Sequence, residues 1–125
     1  MNQPQYFEIQ ASQPKELVEF YKKAFDWTFE EQTGMPIEYW RITTSGIGGA
    51  ILERPAQIPH AQQGTNAYVV SMEVADFDAT ADAILAAGGM VALPKFAIAG
   101  KCWQGYFLDV DQNTFGIFQA DEAAA

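Results

Sequence analysis

An internal repeat limits this chain more than any other feature. Residues 5–53 and 66–120 read in the same order: strand, helix, strand, strand, strand. In the first stretch residues 6–11 have strand character, and Leu17, Phe20, Tyr21, Ala24 and Phe25 then fall at helical spacing and predict one buried face. Lys15, Glu19, Lys22 and Lys23 lie mostly on the other side. Ser12 is placed as the N-cap, with Pro14 and Glu16 in the first turn, where a missing N–H and a negative charge are tolerated. Residues 27–32, 38–44 and 49–52 complete the first set of strands. In the second stretch residues 66–74 are the strand and Asp76 the N-cap. Phe77, Ala81, Ile84 and Leu85 form the helical stripe, which Gly88 and Gly89 stop. A shift of about 64 positions lays Phe20 and Tyr21 on Ile84 and Leu85, as a repeat requires.

The second stretch ends in a hairpin. Residues 90–93 read as a strand, 94–101 as a loop, and 102–108 and 114–119 as paired strands rich in Tyr, Phe, Leu and Ile. Between the last two lie Asp109, Val110, Asp111, Gln112 and Asn113. Asp and Asn close tight turns because their side chains bond nearby backbone amides and tolerate left-handed geometry. Residues 54–65 hold two prolines, a glycine and no periodicity, so they read as the linker between modules, and 121–125 as a frayed tail. The expected architecture is α+β: one domain over 1–125 with module 1 at about 5–53 and module 2 at about 66–120.

Charge and cysteine content narrow the function classes. The formal net charge of -9 repels phosphate backbones and anionic lipid, which argues against nucleic acid or membrane as partners. A cationic or neutral small molecule is easier to accommodate. Cys102 is the only cysteine, so there is no internal disulfide and no Cys-rich zinc site. The N-terminal residues lack a basic region followed by an apolar one, and no stretch approaches the ~18 apolar residues of a membrane span. A cytoplasmic protein is the expectation. No Ser/His/Asp triad is supportable with His60 as the single histidine, and Gly46, Gly48 and Gly49 join two strands rather than opening a helix to cradle phosphate.

With both modules laid out, the chain resembles the vicinal oxygen chelate superfamily, which includes glyoxalase I, extradiol dioxygenases, and fosfomycin- and bleomycin-resistance proteins. The resemblance spans about residues 5–120 and is carried by Phe7-Glu-Ile9, Pro14 through Trp27, Glu73-Val-Ala-Asp76, Ala86-Ala-Gly-Gly89, Asp109 through Asn113 and Phe115 through Gln119. It implies two tandem βαβββ modules forming a cup-shaped, barrel-like mixed sheet that holds a small molecule, often in a homodimer. Many members hold a divalent metal there as a Lewis acid.

Carried onto this chain, the family's metal positions fall on Tyr6, Val69, Gly116 and a residue near Ala50 or Ile51. Val, Ala, Ile and Gly have no side-chain donor, whereas a divalent site wants four to six N or O atoms. The expectation is therefore no cofactor, the alternative being one divalent metal ion. A slip of two residues keeps a side chain on the same strand face and would bring in Glu8; Glu53, His60 and Gln119 require less regular shifts. His60 in a linker is by default a solvated histidine, and Cys102 a small hydrophobe.

Glu8 shares a face with Tyr6, and a carboxylate beside a phenol in an aromatic cup attracts a cation. Trp40, Trp103, Tyr39, Tyr68 and Tyr106 are sheet aromatics of the kind that line small-molecule pockets, although alternation does not fix which face of each sheet turns inward. The ligand-binding candidates are Tyr6, Glu8, Trp40, Tyr68, Trp103, Tyr106 and Gly116, with no catalytic residue assigned. The expected function is metal-independent binding of a small cationic or aromatic molecule, as in bleomycin-resistance proteins. The alternative is a metal-dependent lyase, isomerase or dioxygenase of the glyoxalase type.

Overall fold

The computed structural model describes residues 5–54 and 68–125. In the first module β1 (Phe7–Ala11) leads into α1 (Pro14–Ala24), followed by β2 (Thr28–Glu31), β3 (Tyr39–Thr43) and β4 (Gly49–Glu53). The second runs β5 (Ser71–Glu73), α2 (Phe77–Ala86), β6 (Met90–Ile98), β7 (Cys102–Leu108) and β8 (Thr114–Ala120). Each module forms a four-stranded mixed sheet, in the orders β1-β4-β3-β2 and β5-β8-β7-β6. In both, the first strand pairs in parallel with the last and the remaining pairs are antiparallel. The α+β class and the tandem βαβββ order agree with the sequence reading. The barrel-like closure does not: no ladder joins β1 to β5, so the two sheets stay separate.

The helices cover one face of the sheets, and the core runs through both modules. Leu17, Val18, Phe20 and Tyr21 of α1 are buried with Ile42 and Ile51 of the first sheet and with Phe107, Phe115 and Ile117 of the second. Phe115 is the bridge: its ring lies 6.1 Å from Phe20, 5.7 Å from Tyr21 and 5.9 Å from Phe25. Each such side chain contributes about 1.5–3 kcal/mol when fully buried.

Several local expectations change. The N-cap of α1 is Gln13, which makes no side-chain cap bond, and Pro14 carries the helix start. Ser12 lies one residue before that cap: its Oγ accepts from Arg54 Nε at 3.4 Å and its backbone N–H donates to Asp111 Oδ2 at 2.6 Å. Leu85 is 47% exposed, because Ile84 takes the place in α2 that Tyr21 has in α1 and the next residue turns outward. Residues 94–98, expected in a loop, belong to β6, which passes Pro94 through register shifts between Val91 and Phe96. As an edge strand, β6 loses no ladder bond to the missing proline N–H. The strand expected at 66–74 is confined to Ser71–Glu73 among the described residues. The tail is docked, with the Gly100 N–H bonded to the Ala124 carbonyl at 2.9 Å. The expected linker lies outside the described residues except for Arg54. Among the described residues no helix is long and apolar enough to cross a membrane.

The β7–β8 turn locks the modules together. Gln112 adopts φ 65, the left-handed geometry such a turn needs. Asp109, only 1% exposed, accepts from the backbone amides of Asp111 and Asn113 through Oδ1 and from Asn113 Nδ2 through Oδ2. Tyr21 of α1 donates to the same Oδ2. Arg54 closes the seam at the other end, 3.2 Å from Asp111 Oδ2, and Asn113 Nδ2 reaches the Gln10 carbonyl at 2.9 Å. Burial raises the Asp109 carboxyl above its ordinary value, against the pull of the Asn113 and Asp111 amides and of Tyr21.

Candidate functional site

With the helices on one side, strand alternation gives each sheet an opposite, open face. On the first sheet the registers Glu8↔Ala50 and Arg41↔Ala50 put these residues in one row, while Gln10, Leu52 and Tyr39 form the next. Ala50 is fully buried beneath its neighbours. Its single methyl leaves the space in which Tyr6, Glu8 and Tyr39 converge. The Tyr6 and Tyr39 hydroxyls are 2.7 Å apart, and the Glu8 carboxylate interacts with the same Tyr39 hydroxyl. Burial first, then the bonds to Tyr6 and Glu8, hold the Tyr39 phenol well above the usual tyrosine range. It stays a neutral phenol at any physiological pH, and either hydroxyl of the pair can donate to the other.

On the second sheet the open face carries Ser71, Gly116 and Tyr106 in one row and Glu73, Phe118 and Gln104 in the next. A Cβ on Gly116 would collide with Ser71 Oγ, lie 2.9 Å from Gln104 Nε2 and 3.1 Å from Tyr106 Cε1. The space above this glycine is therefore already filled by its neighbours. Gln104, one of two buried polar residues among the described residues, donates from Nε2 to Ser71 Oγ and to the Gly105 carbonyl, each at 3.4 Å. Phe96 stacks on Tyr106 with 6.4 Å between centroids.

A cavity of about 250 Å³ opens at the seam between the modules. Phe7, Ile9, Trp27, Met72 and Phe115 give it apolar walls, and Glu8, Gln10, Arg54 and Asn113 stand at its polar side. Glu8 thus borders both the cavity and the tyrosine cluster.

The sequence candidates are distributed as follows. Tyr6 and Glu8 come together on the first open face, and Tyr106 and Gly116 lie side by side on the second. Trp40 and Trp103 are packed against the core on the helix side, with indole N–H groups bonded to Glu38 and Asp121. Tyr68 lines the seam cavity with 94% of its surface exposed. His60 lies outside the described residues, and Cys102 is half-buried and unpaired. The site list from sequence lacked Tyr39, Ala50, Ser71 and Gln104. Gln104 carried a signal, a lone amide two positions before Tyr106 in an otherwise apolar strand; the other three depend on cross-strand register.

At the positions onto which the resemblance carries the family's metal ligands stand Tyr6, whose hydroxyl pairs with that of Tyr39, the exposed Val69, the buried Ala50 or Ile51, and Gly116. Among the described residues no three His, Cys, Asp or Glu side chains converge. This donor set does not fit a divalent ion.

The family model of the Glyoxalase/Bleomycin resistance protein/Dioxygenase superfamily matches residues 3–117. This chain belongs to that superfamily. Solved structures share the glyoxalase-like fold at low identity. A hypothetical protein from S. aureus superposes with TM-score 0.77 at 17% identity, covering 96% of this chain and 95% of that one. A glyoxalase/bleomycin resistance protein/dioxygenase family enzyme from Burkholderia phytofirmans PsJN gives 0.73 at 16%, covering 94% and 98%. A mutant of the fosfomycin resistance protein FosX from Listeria monocytogenes, complexed with Mn(II) and a dihydroxypropylphosphonic acid, gives 0.72 at 14%, covering 94% and 89%. Among curated proteins no match is found.

Proposed function

We propose that this superfamily member binds a small molecule on its open sheet faces without a metal ion. The observation that carries this reading is the crowding of Gly116 by Ser71, Gln104 and Tyr106 at one of the expected metal positions, the others falling on Tyr6, Val69 and Ala50 or Ile51. A carboxylate there would have to displace all three neighbours. What remains is a polar cluster on one sheet and an aromatic and amide surface on the other, the mixture of apolar wall and few placed polar groups that small-molecule sites use. The fold hosts both chemistry and plain binding, so the reading rests on these residues and not on the fold.

The test is metal analysis of protein purified without chelators, followed by calorimetric titration with Mn(II), Ni(II) and Zn(II). The expected result is substoichiometric metal and no saturable heat. One equivalent of bound ion would overturn the reading in favour of a metal-dependent lyase, isomerase or dioxygenase. In parallel, a thermal-shift screen should find stabilisers, since ligand at 100 times its Kd adds ~2.7 kcal/mol.

The reading includes a homodimer. Met90, Val91, Leu93, Phe96 and Ile98 of the edge strand β6 are all exposed, an apolar surface of the kind that partner copies cover. Light scattering should give twice the chain mass, and Leu93→Lys should shift the protein toward monomer; a monomeric wild type removes this part of the reading.

A further inference from the structure

We propose that the seam cavity is a second binding site, separate from the open sheet faces, and that it takes one small uncharged aromatic molecule carrying a carboxamide. The site stands on its own geometry and does not depend on what the open faces bind.

The cavity lies beside a strand edge and not over a sheet face. Phe7 and Ile9 of β1 pack toward the helices and Glu8 and Gln10 alternate to the other side, yet all four line it. Strand pairing fixes which backbone groups meet it. An extended residue points its N–H and C=O to one side of its strand, and the next residue points them to the other. Phe7 and Ala11 spend theirs on the β4 side, where the Phe7 N–H donates to the Gly48 carbonyl and the Ala11 carbonyl accepts from the Arg54 N–H. The N–H and C=O of Glu8 therefore face away from β4, into the seam. The Gln10 carbonyl has the same direction: it meets the second module and accepts from Asn113 Nδ2.

The opposite wall repeats this arrangement. The β7–β8 ladder carries its bonds at odd-numbered residues of β8, in step with the Asp109 N–H on the Asn113 carbonyl. Even-numbered residues turn toward β5, as the Gly116 N–H on the Val70 carbonyl shows. The β5 ladder begins only at Ser71↔Gly116. The N–H and C=O of Thr114, two residues earlier, thus face the seam beyond its end, and Thr114 lines the cavity. Among the described residues no backbone bond joins Glu8 to Thr114, or either of them to residues 68–70. Two strand edges each present a donor and an acceptor to one cavity.

The apolar lining sets the body of the ligand. The Phe7 and Trp27 rings lie 5.6 Å apart, Tyr21 stacks on Trp27 at 5.3 Å, and Phe115 and the Met72 thioether complete the wall. Such a wall suits an aromatic ring, through ring–ring and sulfur–ring contacts. A dry cavity of about 150 Å³ is enough for benzene. The seam cavity, at about 250 Å³, has room for a ring and one substituent. That substituent meets strand edges that both donate and accept. A carboxamide answers both, whereas a carboxylate has no hydrogen for the carbonyls and an ammonium no lone pair for the N–H groups. The Gln10 amide and Thr114 hydroxyl at the rim likewise do both. Charge at the rim is mixed: Glu8 and Arg54 both border the cavity, and Arg54 is already paired with Asp111 at 3.2 Å. A net charge of either sign on the ligand meets one like charge there.

The test is an NMR titration of the full chain, with Ile and Met methyls labelled, using benzamide, benzoate and benzylamine. Benzamide should saturate with a Kd on the order of 1 mM, about tenfold more tightly than either ion. Its ring should give NOEs to the methyls of Ile9 and Met72. Met72→Trp fills the apolar wall and should abolish saturation; if that variant does not fold, the NOEs in the unaltered protein still locate the ring. Benzamide that fails to saturate by ~10 mM, or that binds no more tightly than either ion, overturns the inference. NOEs to Ala50 and Tyr106 in place of Ile9 and Met72 also overturn it, and support binding on the open faces. A blank for all three probes, with other compounds stabilising the protein, removes this site and leaves the binding reading standing.

Discussion

The Tyr21 hydroxyl donates a 2.9 Å hydrogen bond to Oδ2 of Asp109, joining helix α1 of the first module to the hairpin turn of the second across 88 residues of sequence. Both groups are buried, so neither has water as a substitute partner. Tyr21→Phe keeps the stacking on Trp27, whose ring lies 5.3 Å away, and deletes only the bond. The expected loss is about 1–3 kcal/mol, the cost of leaving a buried acceptor short of a donor, read from urea midpoints. Burial, and then Asp109, hold the Tyr21 phenol well above its ordinary value of 10.0. A raised folded pKa gives stability that is complete below the unfolded value and lost as pH climbs past it. Wild-type stability should therefore fall more steeply than that of Tyr21→Phe above about pH 10.

Asp109 makes an acid-side prediction of definite sign. Its carboxyl titrates above 3.8 in the folded protein, chiefly through burial, so the folded chain holds this proton more tightly than the unfolded one. The contribution is complete below about pH 3.9 and is lost as pH rises through the raised folded value. Asp109→Asn lacks this titration and keeps one acceptor oxygen of two: with Oδ1 still serving the Asp111 and Asn113 amides, an NH2 group replaces the Oδ2 that accepts from Tyr21 and Asn113 Nδ2. The variant should be less stable throughout, with its deficit largest near pH ~3 and smaller at neutrality. Denaturation curves showing a deficit that grows with pH would mean that the hydrogen bonds, not burial, govern this carboxyl.

Ion pairs in this chain should differ in worth according to burial. Arg54 and Asp111 have side chains only 10% and 19% exposed, and they lock the seam between modules. Arg54→Met should cost about 1–3 kcal/mol, since it leaves a mostly buried carboxylate with fewer partners. Lys22 and Glu19, at 48% and 63% exposed, are screened by solvent. Lys22→Met should shift stability by less than about 0.5 kcal/mol.

Two glycines in equivalent strands should respond unequally to alanine. A Cβ on Gly49 would lie 2.6 Å from the Phe7 carbonyl oxygen and 2.7 Å from its ring, and the paired backbone of β1 cannot retreat. At Gly116 the neighbours are the tips of Ser71 and Gln104 and the edge of Tyr106, which can turn aside. Gly49→Ala should cost about 1–3 kcal/mol or more, and Gly116→Ala the lower end of that range. Gly116→Ala should nevertheless disturb the second open face, which chemical shifts of the Gln104 side-chain amide would report.

Much of the fold was legible because each module announces itself locally. The 3.6-residue stripe through Leu17, Phe20 and Tyr21, the Asp76 cap and the Gly88 stop require no knowledge of distant residues. Where the reading failed, distant residues had intervened: Arg54 and Asp111 engage Ser12 one residue before the helix cap, and the free edge of β6 admitted Pro94 into a strand. The site was less legible for the same reason. Trp40 and Trp103 have the residue type of a binding surface, yet they belong to the helix-facing side.

The sequence by itself determined two βαβββ modules, their order, and the residue types at the family's metal positions, because periodicity and capping are properties of neighbours along the chain. The tertiary structure alone decided which strand faces lie open, that Tyr6 and Tyr39 meet across Ala50, and that Ser71, Gln104 and Tyr106 occupy the space above Gly116. Those contacts depend on strand register and on which face the helices bury. Register is settled by the whole core packing at once, with Phe115 bridging both modules, and no local stretch of sequence carries that information.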